Sequence, residues 1–143
     1  MNENKTAPYG ALILRVALGI LFLAHAGLKY FVFTPAGAVG FFESLGLPGF
    51  FAYLTMLAEL FGGIALILGL FTRYVSLALV PVILGAIILV HGANGWLFTN
   101  PNGGWEFLAL WLAALLAQAA IGSGAFALHL NNGKFSFRTS STK

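Results

Sequence analysis

Apolar positions along the chain gather into long, nearly unbroken runs rather than into stripes of helical or strand period. Four runs, at about residues 9–31, 49–70, 74–92 and 105–128, match the roughly 20 residues needed to cross a bilayer core. What separates them differs in kind. Residues 34–48, "TPAGAVGFFESLGLP", are too short and too rich in glycine to span. Phe41, Phe42, Leu45 and Leu47 there predict a short amphipathic helix lying along the membrane interface. A few residues around Thr72 and Arg73 join the second and third runs, which makes those spans a tight antiparallel pair. Residues 93–104, "ANGWLFTNPNGG", carry Asn-Gly and Asn-Pro-Asn-Gly-Gly turn signals, with Trp96 and Trp105 as interfacial anchors. The pattern predicts one all-α domain over residues 1–143, a bundle of four transmembrane helices with a short interfacial helix between the first two.

Composition strengthens the membrane reading. Of 143 residues, 59% are hydrophobic and 8% charged, against about 25% charged in soluble domains. A net charge of +3 rests on seven basic residues spread along the chain, so no basic patch points to nucleic acid. Lys5, Arg73, Lys134, Arg138 and Lys143 flank the ends that four antiparallel spans bring to one side. The 93–104 loop has no Lys or Arg, so both termini are expected in the cytoplasm, with the chain in a bacterial inner membrane. Arg15 inside the first run argues against reading Ala24-His25-Ala26 as a signal-peptide cleavage site. No cysteine is present, which excludes disulfides and thiol catalysis. Gly122-Ser123-Gly124 begins a nucleotide-binding glycine pattern, but no predicted strand precedes it.

Ionisable groups inside spans cost about 2.5–3.5 kcal/mol at mid-helix on insertion scales, so they face the bundle interior and find partners there. Depth sorts them into two groups. Arg15 lies roughly 10 Å, and Glu59 roughly 16 Å, above the cytoplasmic ends of their spans. They are expected to form an intramembrane charge pair near Gln118, with a proton-carrying role for Glu59 as the alternative. His25, Lys29, His91, Trp105 and Glu106 collect near the outer face as a candidate quinone, ligand or proton site. A quinone headgroup needs a donor or proton source at its oxygens and an apolar slot for its tail. Three alternatives stand beside that reading: a structural role for these residues, a haem held between His25 and His91, and a metal. For Lys29 and Glu106 the structural role is outward snorkelling and a helix N-terminal contact. The cysteine-free sequence offers no metal motif. Gly62, Gly63, Ala109, Ala113 and Ala117 are expected to be helix-packing positions. His129, beside Asn131 and Asn132, reads as solvated.

The stretches "LRVALGILFLAHAGLKY" (14–30), "LGLPGFFAYLTMLAELFGGIALILGLFTRYVSLAL" (45–79) and "GGWEFLALWL" (103–112) resemble the DoxX family of small four-helix membrane proteins. The likeness covers about residues 10–125 and is most specific in Glu59-x-x-Gly62-Gly63 and in Leu68 to Arg73. Arg15, Lys29, Gly46 to Pro48, Trp105 and Glu106 also fit. The resemblance implies a redox theme, since members include the membrane part of thiosulfate:quinone oxidoreductase. It therefore implies a quinone as cofactor or substrate and a second membrane or periplasmic redox subunit, or a second copy of the chain, as partner. The competing reading is a non-catalytic scaffold or assembly subunit of a membrane complex. A transporter is disfavoured, because no inverted repeat or broken helix pair is visible in the sequence.

Overall fold

The computed structural model describes residues 3–131 and 134–138. Lys143 and Asn132 lie outside the described residues. Helix α1 (Glu3–Gly27) continues into a single π turn, Leu28–Val32. Helix α2 (Pro35–Ser44) follows, opened by Thr34, whose Oγ1 accepts from Gly37 N at 3.3 Å. Helices α3 (Phe50–Leu68) and α4 (Thr72–Ala86) come next, and α4 runs on through a π turn, Ile87–His91, and a 3₁₀ turn, Gly92–Asn94. Helix α5 (Glu106–Ile121) precedes an antiparallel hairpin of β1 (Ala127–Asn131) and β2 (Lys134–Arg138).

Three of these helices are long and apolar enough to cross a membrane, over Lys5–Val32, Phe50–Leu68 and Thr72–Asn94. Helix α5 is equally apolar but has only 16 residues. The expected run to residue 128 ends early because Gly122 (φ 91°) and Gly124 (φ 69°) take left-handed backbone that breaks the helix. The body of the protein is the expected all-α bundle, and the two-stranded hairpin is an addition to it. Its pairs Leu128↔Phe137 and Leu130↔Phe135 put four apolar side chains on one face, with His129 and Ser136 on the other.

Packing is organised by α1 against α3 and α4 against α5, with α3 and α4 also in contact. Leu18, Phe22, Leu66, Leu79, Ile83, Trp111 and Leu115 form the buried core. Gly19 and Gly63 set the α1–α3 distance. A methyl built on Gly19 would come 2.7 Å from Gly63 O, and one on Gly63 would come 2.9 Å from Gly19 O. Gly62 serves α4 in the same way, because a methyl there would meet Leu79 at 2.9 Å. Both predicted glycine packing positions are therefore internal contacts. On α5 the small-residue row behaves differently. Ala109 is half-buried, whereas Ala113 and Ala117 are exposed, so this row does not pack within the chain.

The turn between α3 and α4 has a physical cause. Gly69 (φ 79°) ends α3, with Leu70 N donating to Ala65 O and Gly69 N to Leu66 O, the two bonds of a Schellman cap. A side chain at Gly69 would also strike the hairpin at Ala127 (2.7 Å) and the Arg15 guanidinium (3.1 Å).

Candidate functional site

Arg15 and Glu59 do not meet, which corrects the expected pairing. Arg15 is 1% exposed and donates only to backbone carbonyls. Its Nε reaches Ser123 O (2.8 Å), Nη1 reaches Leu66 O (3.0 Å) and Ile67 O, and Nη2 reaches Ala125 O (2.9 Å). It thereby ties the C-terminal end of α3 to the segment after α5. The reason is directional. Helical side chains lean toward the N-terminus of their own helix. On α1 that carries Arg15 away from Glu59, and on antiparallel α3 it carries Glu59 away from Arg15.

The same lean brings Lys29 back down α1 to Glu59. Lys29 Nζ donates to Glu59 Oε1 at 2.8 Å and Oε2 at 2.9 Å. The carboxylate side chain is 4% exposed and the lysine 19%. Lys29 therefore points inward rather than snorkelling out, and it belongs to a π turn, a local distortion common at functional positions.

This pair forms one wall of a cavity of about 860 Å³. The volume falls within the roughly 300–1,000 Å³ of small-molecule sites. Its lining is apolar apart from His25, Lys29, Thr55, Glu59, His91 and Trp111. Helix α2 covers one side with Ala38, Phe41 and Phe42, and α4 contributes Pro81, Gly85 and Leu89. The rim residues Phe41, Phe51, Leu54 and Leu89 are exposed apolar side chains on or beside the spans. A lipid-soluble molecule meets no polar barrier there.

Each imidazole is held by a backbone carbonyl. His25 Nδ1 lies 2.9 Å from Leu21 O, and His91 Nδ1 lies 2.9 Å from Gly103 O. A carbonyl oxygen accepts only from a protonated nitrogen, so Nδ1 is the donor in both contacts. The His25 ring also packs edge-on against Trp111, centroids 4.9 Å apart. Trp111 is 3% exposed, and its indole N–H has no hydrogen-bond partner among the described residues.

Of the five predicted outer-cluster residues, His25, Lys29 and His91 line the cavity, and Trp105 and Glu106 do not. Those two build the loop beyond it instead. Glu106 Oε1 accepts from Phe98 N (2.9 Å), Trp105 N donates to Gly95 O (3.1 Å), and Trp105 packs edge-on against Trp96. Asn94 Nδ2 donates to Gly103 O (2.9 Å), the carbonyl that orients His91. Trp105 and Glu106 thus reach the cavity only through that loop. Among the described residues no group of three or more His, Asp or Glu side chains forms a metal site.

The DoxX family profile matches residues 10–92. The chain belongs to the DoxX family. It is 38% identical over 125 residues to "Putative oxidoreductase CatD" of Bacillus subtilis (strain 168), covering 87% of this chain and 88% of that relative. It is 31% identical over 115 residues to "Inner membrane protein YqjF" of Escherichia coli (strain K12), covering 75% and 87%. An "Uncharacterized protein" of Haemophilus influenzae is 32% identical over 129 residues, covering 89% and 93%. No solved structure matches the chain significantly. This DoxX chain is an integral membrane protein, and the stretch that matches its family carries every polar cavity residue except Trp111.

Trp111 is also a cavity residue that reading the sequence missed. Leu108, Trp111, Leu115 and Gln118 recur at three- and four-residue spacing, the inward stripe of α5, and that period was the available signal. Glu59 lies inside the span as expected, but its partner is Lys29 rather than Arg15.

Proposed function

We propose that this DoxX protein is a quinone-reactive membrane subunit whose site is the α1–α4 cavity. The observation that carries the reading is a buried Lys29–Glu59 ion pair on the wall of an otherwise apolar cavity of about 860 Å³ with an apolar rim. Intramembrane charges are retained mainly where they serve a pathway or a ligand. A quinone in this cavity is the two-electron, two-proton acceptor. The chain's own residues do the rest. The Lys29 ammonium has three protons, and the one not spent on the two Glu59 oxygens is available to a quinone oxygen. The unpartnered Trp111 N–H fits a second acceptor. Glu59, His25 and His91 hold and pass protons near the ring. Electrons come from a separate membrane or periplasmic redox partner, in keeping with the oxidoreductase wording in the name of the CatD relative.

In the same reading α5 is the fourth span and both termini are cytoplasmic. Sixteen residues give α5 about 24 Å, short of a roughly 30 Å core. Trp105 at one end and the apolar hairpin face at the other supply interfacial anchors. The basic residues Lys5, Arg73 and Lys134 share the hairpin end. Inner-membrane residence accords with the name of the YqjF relative.

Tryptophan quenching tests the site. A short-chain ubiquinone or menaquinone analogue titrated into detergent-solubilised protein is expected to quench saturably, with at least half the effect lost in Trp111→Phe. Linear, unsaturable quenching that is identical in Trp111→Phe removes the proposal. A second reading, a scaffold that docks another membrane protein, is favoured by the exposed Ala113 and Ala117 on α5. It predicts that Ala113→Leu disrupts complex assembly while quinone titration is unchanged.

A further inference from the structure

At the opposite end of the bundle from the cavity lies a smaller hollow of about 220 Å³, bounded by the α3–α4 turn, the segment after α5 and the hairpin. We infer that it is a binding site for a phosphate-type anion, and specifically for the headgroup of an anionic phospholipid. Four observations converge there. Helix α4 opens at this hollow, and among the described residues no side chain caps it, so its first-turn N–H groups and the positive end of its dipole face an external acceptor. Thr72 lines the hollow, is 1% exposed, and its Oγ1 has no hydrogen-bond partner among the described residues. His129, read from the sequence as solvated, is half-buried on β1 and lines the same hollow, and its Nε2 is buried without a hydrogen-bond partner among the described residues. Arg73 supplies the charge.

Arg73 has no acidic or carbonyl partner among the described residues, unlike Arg15 with its four carbonyls. Its side chain crosses the bare Gly122 backbone, where a methyl would come within 3.1 Å of Nε. Two buried polar atoms, a guanidinium and a helix N-terminus around one hollow are complementary to oxygens that carry negative charge. Left empty of any acceptor, the same atoms bear the cost of burial without compensation.

The surroundings favour a lipid as the source of that anion. Phe71 and Tyr74 beside the hollow are exposed (64% and 76%), and so are Leu130, Phe135 and Phe137 on the apolar face of the hairpin. An acyl chain finds apolar surface on both sides of the hollow, which a free inorganic ion does not use.

The test uses the full-length protein, delipidated and returned to nanodiscs holding equal phosphatidylglycerol and phosphatidylcholine, with bound lipid counted by native mass spectrometry. Wild type is expected to retain phosphatidylglycerol about five- to tenfold over phosphatidylcholine, the scale of one arginine at a membrane surface. Arg73→Gln is expected to bring that ratio near one. Thr72→Val keeps the side-chain volume and is expected to reduce it several-fold, with Thr72→Ser restoring it. Inorganic phosphate titrated into the lipid-free protein separates the sources. Saturable phosphate binding lost in Arg73→Gln, without lipid preference, retains the anion site but assigns it to free phosphate. Equal retention of both lipids by wild type with no phosphate binding overturns the inference. So does a preference that both variants keep in full. Unchanged quinone-analogue quenching and gel-filtration profiles serve as the fold controls.

Discussion

Replacing Arg15 by Met is the sharpest test of how the polar groups inside this bundle are partnered. The substitution keeps much of the apolar stem and removes every donor. Of the four carbonyls Arg15 serves, Leu66 O also accepts from Gly69 N and keeps a partner. The oxygens of Ile67, Ser123 and Ala125 have no second donor among the described residues. Each orphaned buried carbonyl costs roughly 1–3 kcal/mol. Water entering at the bundle end offsets part of that sum, which leaves a net loss of about 3–5 kcal/mol. Arg15→Lys retains charge and three donors in a poorer geometry and should lose roughly half as much. Unfolding in mixed dodecyl maltoside and SDS micelles, followed by far-ultraviolet circular dichroism, reads these differences. A double-mutant cycle adds the decisive contrast. Arg15→Met and Glu59→Gln should combine additively within about 0.5 kcal/mol, whereas Lys29→Met and Glu59→Gln should couple by about 0.5–3 kcal/mol. A loss below about 1 kcal/mol for Arg15→Met, or coupling of Arg15 to Glu59, refutes the carbonyl-clamp account.

Other outcomes follow from the same contacts. Gly63→Val drives a branched side chain against Gly19 O and Leu23; it should cost at least the roughly 1–3 kcal/mol of overpacking, read in the same SDS titration. Glu106→Gln weakens the acceptor at Phe98 N without touching the cavity wall. Its stability loss should stay near 1 kcal/mol, and its saturable quinone-analogue quenching should match wild type. His91→Ala removes an imidazole from the wall and a bond to Gly103 O. It should weaken analogue binding by about tenfold, one hydrogen bond's worth, in the same quenching titration.

Helix existence was legible because it follows from hydrophobic run length alone. The runs at 9–31, 49–70 and 74–92 correspond to α1 with its π turn, α3, and α4 with its π turn, within a few residues at most ends. The segment "TPAGAVGFFESLGLP" likewise contains α2. The fourth run failed at its end because apolar Ala125 to Leu128 prolongs the hydropathy past Gly122-Ser123-Gly124, where positive φ stops the helix. Beyond it, Leu128-His129-Leu130 and Phe135-Ser136-Phe137 alternate around Asn-Asn-Gly, a hairpin pattern that a search for spans overlooks. The candidate site was legible in its residue types and less so in its partners. Depth along a helix put Arg15 within reach of Glu59, but depth does not encode the direction in which a side chain leans. That direction assigned Lys29 to Glu59 and Arg15 to the carbonyls. The roles of Trp105 and Glu106 depend on a loop closed by its own backbone hydrogen bonds, and no spacing rule reports those.

On the proposed function, the cavity beside Lys29 and Glu59 holds a quinone. The most direct test is to purify the protein from its native membrane in mild detergent, extract it with organic solvent, and quantify quinone by mass spectrometry. Wild type would be measured beside Glu59→Gln and a double variant, Lys29→Met with Glu59→Gln, that removes both charges. About one quinone per functional unit is expected in wild type, with most of it lost in the double variant and Glu106→Gln unchanged. Background quinone in wild type, or full retention in the double variant, would contradict it.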